Sequence, residues 1–327
     1  MRRVDWFKVF KFSQYKRLIV SGILRIVEPA TLASYRAMDI AALGERPAIL
    51  PDALPDAPQR GVGSLSLSFR RAWPQGNTRI ERFYQEGCLK ARLPRITAAE
   101  DCEAVLMNIS GGIAGGDVLE TSLEVTAGAR ACVAGQAAER VYRALGGVPA
   151  ELTTRITLGP DASLDYLPQE AILFDGFALC RTLDVALDET ARYLGVESLV
   201  FGRQAMGERL GSGMLRDRIT IRRNGKVILQ DMTRLDGDVT NILARKAVGA
   251  GALAVATMIR AAPDAVGLLD PVRAALVDTG CDAGASMVEG VLVARLLAPS
   301  SQILRRAIVK ILMLCRNGQA LPRVWQS

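Results

Sequence analysis

The chain has 327 residues, half of them hydrophobic, with 41 basic against 34 acidic side chains and a formal charge of +7. That length holds one large domain or two smaller ones, and the balance is that of a globular chain able to bury a sizeable core. There is no histidine, which excludes Ser-His-Asp and Cys-His catalysis, H-E-x-x-H zinc sites and the commonest ligand for nickel, zinc or copper.

Residues 1–59 differ in composition from the rest of the chain. "WFKVFKFSQYKRLIV" interleaves basic and apolar residues, and "RPAILPDALPDAP" (Arg46 to Pro58) carries four prolines in thirteen residues, the composition of a linker. This part is expected to be an N-terminal extension, either flexible or the product of a start codon placed too far upstream; a basic amphipathic tip could also touch a membrane surface. It holds nine Lys/Arg against six Asp/Glu, which leaves 32 against 28 for the rest. So even a balance does not suit nucleic-acid binding. The apolar run Leu18 to Val27 is broken by Arg25 and is too short for a membrane span. It has no convincing cleavage site for a signal peptide either. Cytoplasmic localisation is the expectation. Six cysteines without a C-x-x-C pair fit reduced, mostly buried thiols.

From Arg60 onward the chain reads as one unit, 60–327, of short segments with period-two alternation between turn residues. "GSLSLSFRR", "DVLETSLEVTAG", "ARACVAG" and "RYLGVESLVFG" are examples. In "MLRDRITIRRNGKVILQDMTRLDG", Asn224-Gly225 between two alternating runs predicts a hairpin. The last third adds two helices: one within Pro263–Thr279, and one opened by Pro299 with Ser300 and Ser301 as polar starters. Ser286–Ala298, rich in valine, predicts a strand between them. The fold class is therefore mainly β, built of large stacked antiparallel or β-helix-like sheets with a small helical part near the C-terminus. No sequence repeat of fixed period is visible.

Three stretches could carry chemistry. "SGGIAGGD" places Gly111, Gly112, Gly115 and Gly116 before Asp117. Gly111 and Gly116 have P-loop spacing, but a P-loop needs lysine where Asp117 stands, and a helix where a strand follows. An aspartate there costs at least about 1 kcal/mol against a phosphate at 4 Å. The remaining reading is a tight positive-φ turn that brings backbone close to something. "DYLPQEAILFDG" spaces Asp165, Glu170 and Asp175 five apart among apolar residues. These are either oxygen ligands or the lining of a polar path, or solvated corners at turns. Phe201–Arg223 mixes glycine with charge, and Arg203, Glu208, Arg209, Arg216 and Arg218 are candidates to face a partner, or to keep a sheet edge from pairing.

Taken together, "SGGIAGGDVLE", "GARACVAGQAAERVYRA", "LPQEAILFDGF" and "ESLVFGRQAMGE" with "LRDR" resemble the urease accessory protein UreD (UreH) family, from about Arg60 to the C-terminus. The resemblance implies a non-enzymatic maturation factor, a chaperone of metallocentre assembly. It would bind apo-urease with UreF and, through that complex, the GTPase UreG, so that nickel reaches the urease active site. It implies no tightly bound cofactor, only transient Ni2+, and allows a homodimer within the complex. Asp117, Asp165, Glu170 and Asp175 become the candidates for metal contact or for lining a conduit. The family's turn commonly follows a His-Pro-Pro-like stretch; here "MNIS" and "AERVYRA" occupy those places, so no histidine role carries over. Two other readings stand beside it. One is a β-class enzyme using Asp165, Glu170 and Asp175 as paired carboxylates. The other is a peripheral membrane protein held by residues 6–27.

Overall fold

The computed structural model describes residues 60–72, 76–94, 101–203, 207–208 and 210–326, and the backbone of 19–21. The remainder of the N-terminal extension, its basic tip and Arg209 lie outside the described residues.

The strands, in chain order, begin with β1 (Ile19–Ser21), β2 (Val62–Arg71), β3 (Thr78–Gly87), β4 (Leu89–Arg92), β5 (Cys102–Asn108) and β6 (Val118–Val125). Next come β7 (Arg130–Gly135), β8 (Glu139–Val141), β9 (Ala150–Leu158), β10 (Ser163–Leu167), β11 (Ala171–Leu173), β12 (Phe177–Leu187) and β13 (Arg192–Phe201). The chain then forms β14 (Gly213–Arg223), β15 (Lys226–Gly237), α1 (Val239–Ala244), β16 (Ala254–Ala261) and α2 (Leu269–Leu276). It ends with β17 (Asp282–Val288), β18 (Val291–Ala298) and α3 (Ser301–Cys315).

Two sheets stack face to face. The first has eight strands in the order β1-β15-β14-β12-β9-β6-β2-β3; the second follows β17-β18-β16-β13-β10-β7-β5-β4, with β11 and β8 joined to it beside β13. The centre of each sheet is parallel: β2, β6, β9, β12 and β14 run parallel in the first, and β5, β7, β10 and β13 in the second. Parallel strands ordinarily need a helical crossover. Here the return path is a strand of the opposite sheet, so the chain winds as a solenoid.

The corners show how. Residues 126–129, 159–162 and 188–191 join β6 to β7, β9 to β10 and β12 to β13. Each ends on a fully buried alanine, Ala129, Ala162 or Ala191. Each corner closes on itself, as in Ala129 N–H to the Thr126 carbonyl at 3.0 Å, and bonds to the next coil, as in Ser163 N–H to the Ala129 carbonyl at 2.9 Å. Antiparallel pairs occur at the flanks: β2–β3, β4–β5, β14–β15, and β13–β16–β18–β17. The predicted Asn224-Gly225 hairpin joins β14 to β15 with φ of 48° and 77°. Ser286–Ala298, expected as one strand, is instead the end of β17, a two-residue turn and β18. Glu289 and Gly290 both adopt positive φ there (46° and 78°), which an alternation count does not register.

One core fills the space between the sheets, with Phe69, Leu123, Ile156, Leu164, Val185 and Tyr193 among its members. A second lies between the outer face of the ten-stranded sheet and α2 and α3. Strand β13 is covered on both faces, which accounts for its nearly continuous apolar run. Helix α3 presents Leu304, Ala307, Ile308, Ile311 and Leu312 to that sheet, and the Ser300 side chain caps it by accepting from Ile303 N–H at 3.3 Å. Among the described residues no helix is long and apolar enough to cross a membrane. The six cysteines are free thiols, but only Cys132 and Cys315 are buried; the other four sit at partly exposed positions, against the expectation of mostly buried thiols.

Candidate functional site

The glycine-rich turn is a packing device. Gly111 and Gly116 have φ of 84° and 85°. A Cβ on Gly112 would lie 2.3 Å from the Tyr142 ring, and one on Gly115 would lie 2.5 Å from both Ala144 Cβ and the Val148 carbonyl oxygen. The backbone that the turn approaches is therefore the 140–149 segment of its own chain. Asp117 is buried. One carboxylate oxygen accepts from Gly61 N–H and the other from Ala114 N–H, both at 2.7 Å. Asp117 thus closes the turn and fixes the start of β2.

The other three acids occupy separate places, each against its own arginine. Asp165 points from β10 to the outer face of the ten-stranded sheet and pairs with Arg316 at 2.5 Å. Burial raises its carboxyl pKa against the pull of that guanidinium. Glu170 lies 3.5 Å from Arg305 of α3. Asp175 sits in the turn before β12 and accepts from Ser212 N–H, Gly211 N–H and Arg143, the last at 2.6 Å. The backbone bond from Ser212 leads the groups that lower its pKa. Among the described residues, no three His, Cys, Asp or Glu side chains are grouped to hold a metal ion.

The partner-facing candidates also divide. Arg203 pairs with Glu208 at 2.9 Å and stacks 4.5 Å from the Phe174 ring centroid; Tyr142 meets that ring edge-on at 5.1 Å. Arg216 and Arg218 are exposed elsewhere, on the outer face of the eight-stranded sheet, because they alternate with the inward Leu215, Asp217 and Ile219.

The polar centre of the molecule lies between the sheets. Arg181 of β12 bonds Asp217 of β14 through two nitrogens, at 2.6 and 3.0 Å, and crosses to Glu197 of β13 in the other sheet at 2.7 Å. These side chains are only 13%, 9% and 11% exposed. Burial pushes the Glu197 carboxyl up to about 7, although Arg181 opposes it. Burial works against the Arg181 charge, yet Asp217 and Glu197 outweigh it and raise its pKa. The Tyr193 hydroxyl is buried with no hydrogen-bond partner among the described residues, and burial raises its pKa first, then the Glu197 charge.

A cavity of about 130 Å³ starts at this cluster. Arg181, Glu197 and Tyr166 line one part of it, and Asn108, Glu139 and Ala137 another. Ala137, an exposed residue, is also among those that line it. Glu139 accepts from Asn108 at 3.4 Å, and burial raises its carboxyl pKa. Glu139 and Glu197 are the carboxylates that line the cavity, with no imidazole or thiolate among its lining residues. For a late transition metal such as nickel, two carboxylates and water are a weaker donor set than imidazoles or thiolates.

None of Arg181, Glu197, Asp217 and Glu139 stood among the residues singled out from the sequence. The signal was present for three of them. Arg181 falls in phase with Phe177, Leu179, Leu183 and Val185; Glu197 with Tyr193, Leu199 and Phe201; Asp217 with Leu215, Ile219 and Ile221. A charged side chain at a core-phase position of a strand requires a buried partner.

The sequence model of the UreD urease accessory protein family matches residues 61–326. A urease accessory protein UreD of Rhizobium leguminosarum bv. trifolii is 43% identical over 288 residues, covering 88% of this chain and 99% of that one. UreD proteins of Dinoroseobacter shibae and of Methylobacterium sp. (strain 4-46) are each 44% identical, covering 84% and 82% of this chain and 95% and 96% of theirs. The chain belongs to the UreD urease accessory protein family.

Proposed function

We propose that this protein is a scaffold of urease maturation in the cytoplasm: it binds apo-urease together with UreF and, through that complex, UreG, and passes Ni2+ toward the urease active site without itself performing catalysis. The single observation that carries this reading is the cavity between the sheets, lined by Glu139 and by Arg181 and Glu197 of the Arg181–Glu197–Asp217 cluster. A delivery protein must release its cargo, and oxygen donors spaced along a wet path bind nickel more weakly than a closed cage of imidazoles or thiolates would. Arg181 offsets one of the two inner carboxylates, which keeps the route from becoming a trap for a divalent cation. Nickel here is cargo, and GTP hydrolysis is assigned to UreG.

The partly exposed cluster of Arg203, Glu208, Phe174 and Tyr142 is assigned to partner docking, because a cation–aromatic stack beside an ion pair suits the anchor of an interface. The test is urease activation in cells producing Glu197→Gln or Glu139→Gln chains at wild-type levels. Activation should fall at limiting nickel while pull-down of the partners is retained. Unchanged nickel loading with both variants would overturn the conduit.

A further inference from the structure

The ten-stranded sheet is interrupted beside the cavity. Strand β7 stops at Gly135 and β8 begins at Glu139, while β10 stops at Leu167 and β11 begins at Ala171. The two intervening segments, 136–138 and 168–170, lie side by side. Glu139 N–H bonds the Glu170 carbonyl at 2.9 Å, and a Cβ on Gly135 would stand 2.9 Å from the Gln169 backbone nitrogen. Gly135, Ala137, Pro168 and Gln169 all line the cavity at this seam.

Gln169 joins this seam to the C-terminal segment. Its side chain is buried, donating to the Val324 carbonyl at 2.9 Å and the Gly135 carbonyl at 3.3 Å, and accepting from Arg305 at 2.8 Å. Residues Leu321–Gln326 lie over the outer face as a strap ending in a short 3-10 turn, Arg323–Trp325. Trp325 is buried, and its indole N–H donates to the Leu167 carbonyl at 3.0 Å, the last residue before the seam. Arg305 donates to the Trp325 carbonyl at 3.1 Å and stacks 4.9 Å from its ring centroid. Under this roof lies a pocket of about 10 Å³ lined by Glu170, Arg305 and Trp325. One glutamine therefore forms part of the cavity wall on one side and anchors the strap on the other.

We propose that the seam is a closed opening of the cavity, with Gln169 as its plug and the C-terminal strap as its bolt. Lifting the strap removes the Val324 partner of Gln169, loosening its hold to Gly135 and Arg305 alone, and lets a divalent cation leave toward Glu170 on the outer face. The inference rests on reading the cavity as a cation path, and it adds that the path is gated. Hydrogen bonds and a ring contact hold the strap beside Gln169, and Leu321 and Trp325 also pack into the outer apolar core, so opening requires a docking partner that covers this apolar surface.

The test uses the full chain with Ala171→Cys, a buried cavity-lining position, labelled by a small thiol reagent and read by peptide mass so that the native cysteines do not interfere. Labelling of the introduced thiol is compared in that chain, in the same chain ended after Ala320, and in the same chain with Gln169→Met. Thermal unfolding establishes which variants are folded, and Gln169→Met retains the whole strap should the truncated chain not fold. Labelling should accelerate roughly tenfold or more in each folded variant, as expected when a local opening replaces a closed wall. Labelling at the full-chain rate in the folded variants would overturn the gate. This measurement needs neither urease nor nickel. It decides the gate even if Glu197→Gln leaves urease activation untouched and the conduit fails.

Discussion

At the scale of single residues, the acids of this chain divide into those that fix backbone and those that face the interior. Asp117 belongs to the first group. A carboxylate there satisfies two amides, and an amide side chain offers only one acceptor oxygen while directing an NH2 at a donor. Asp117→Asn should therefore cost about 1–3 kcal/mol, measured by urea unfolding, without altering partner binding in the folded fraction. Glu197 belongs to the second group. Its folded pKa of about 7 lies above the ordinary 4.5, so the folded state holds a proton that the unfolded state has released. Between about pH 4.5 and about 7 the folded chain binds more protons than the unfolded one, and the contribution of Glu197 to stability falls as pH rises. It is present in full below that window and lost above it. The stability difference between wild type and Glu197→Gln, from urea midpoints at pH 5, 6, 7 and 8, should move against the wild type across the window and level off above it. A flat difference would mean that Glu197 is ionised throughout.

At the scale of elements, turns and caps were legible from the sequence and sheet partners were not. Asn224-Gly225 and the Ser300 start of α3 are local signals, and both occur where the residues predict them. Ser300→Ala should cost about 1 kcal/mol through loss of the helix cap, read as a lowered unfolding midpoint. The parallel order of β6, β9, β12 and β14 left no such mark, because each strand meets its neighbour only after a strand of the other sheet has intervened. The inserted β8 and β11 also make the coils unequal in length, so no fixed period appears in the sequence. The polar centre was missed for a related reason. Arg181, Glu197 and Asp217 each look like an isolated charge in its own strand, and only the coils of two sheets bring them within hydrogen-bonding distance. Asp165, Glu170 and Asp175 looked like a group because they are close in sequence, yet each faces a different arginine.

At the scale of the whole molecule, the two sheets enclose a cavity lined by Glu139 and Glu197, which the proposed function makes a path for passage rather than storage. Its walls are mostly apolar, its carboxylates are few, and a buried arginine offsets part of their charge. Helices α2 and α3 pack on the outer face of the ten-stranded sheet, and the C-terminal strap lies across that same face. A scaffold of this kind can hold partners at its ends while a cation moves inside it. The most direct measurement of that claim is the nickel content of urease matured with wild-type protein or with folded Glu197→Gln at equal abundance and limiting nickel. The account predicts that the variant still co-purifies with the partners and with apo-urease but leaves urease several-fold poorer in nickel. Urease loaded to the wild-type level by that variant and by Glu139→Gln would contradict it.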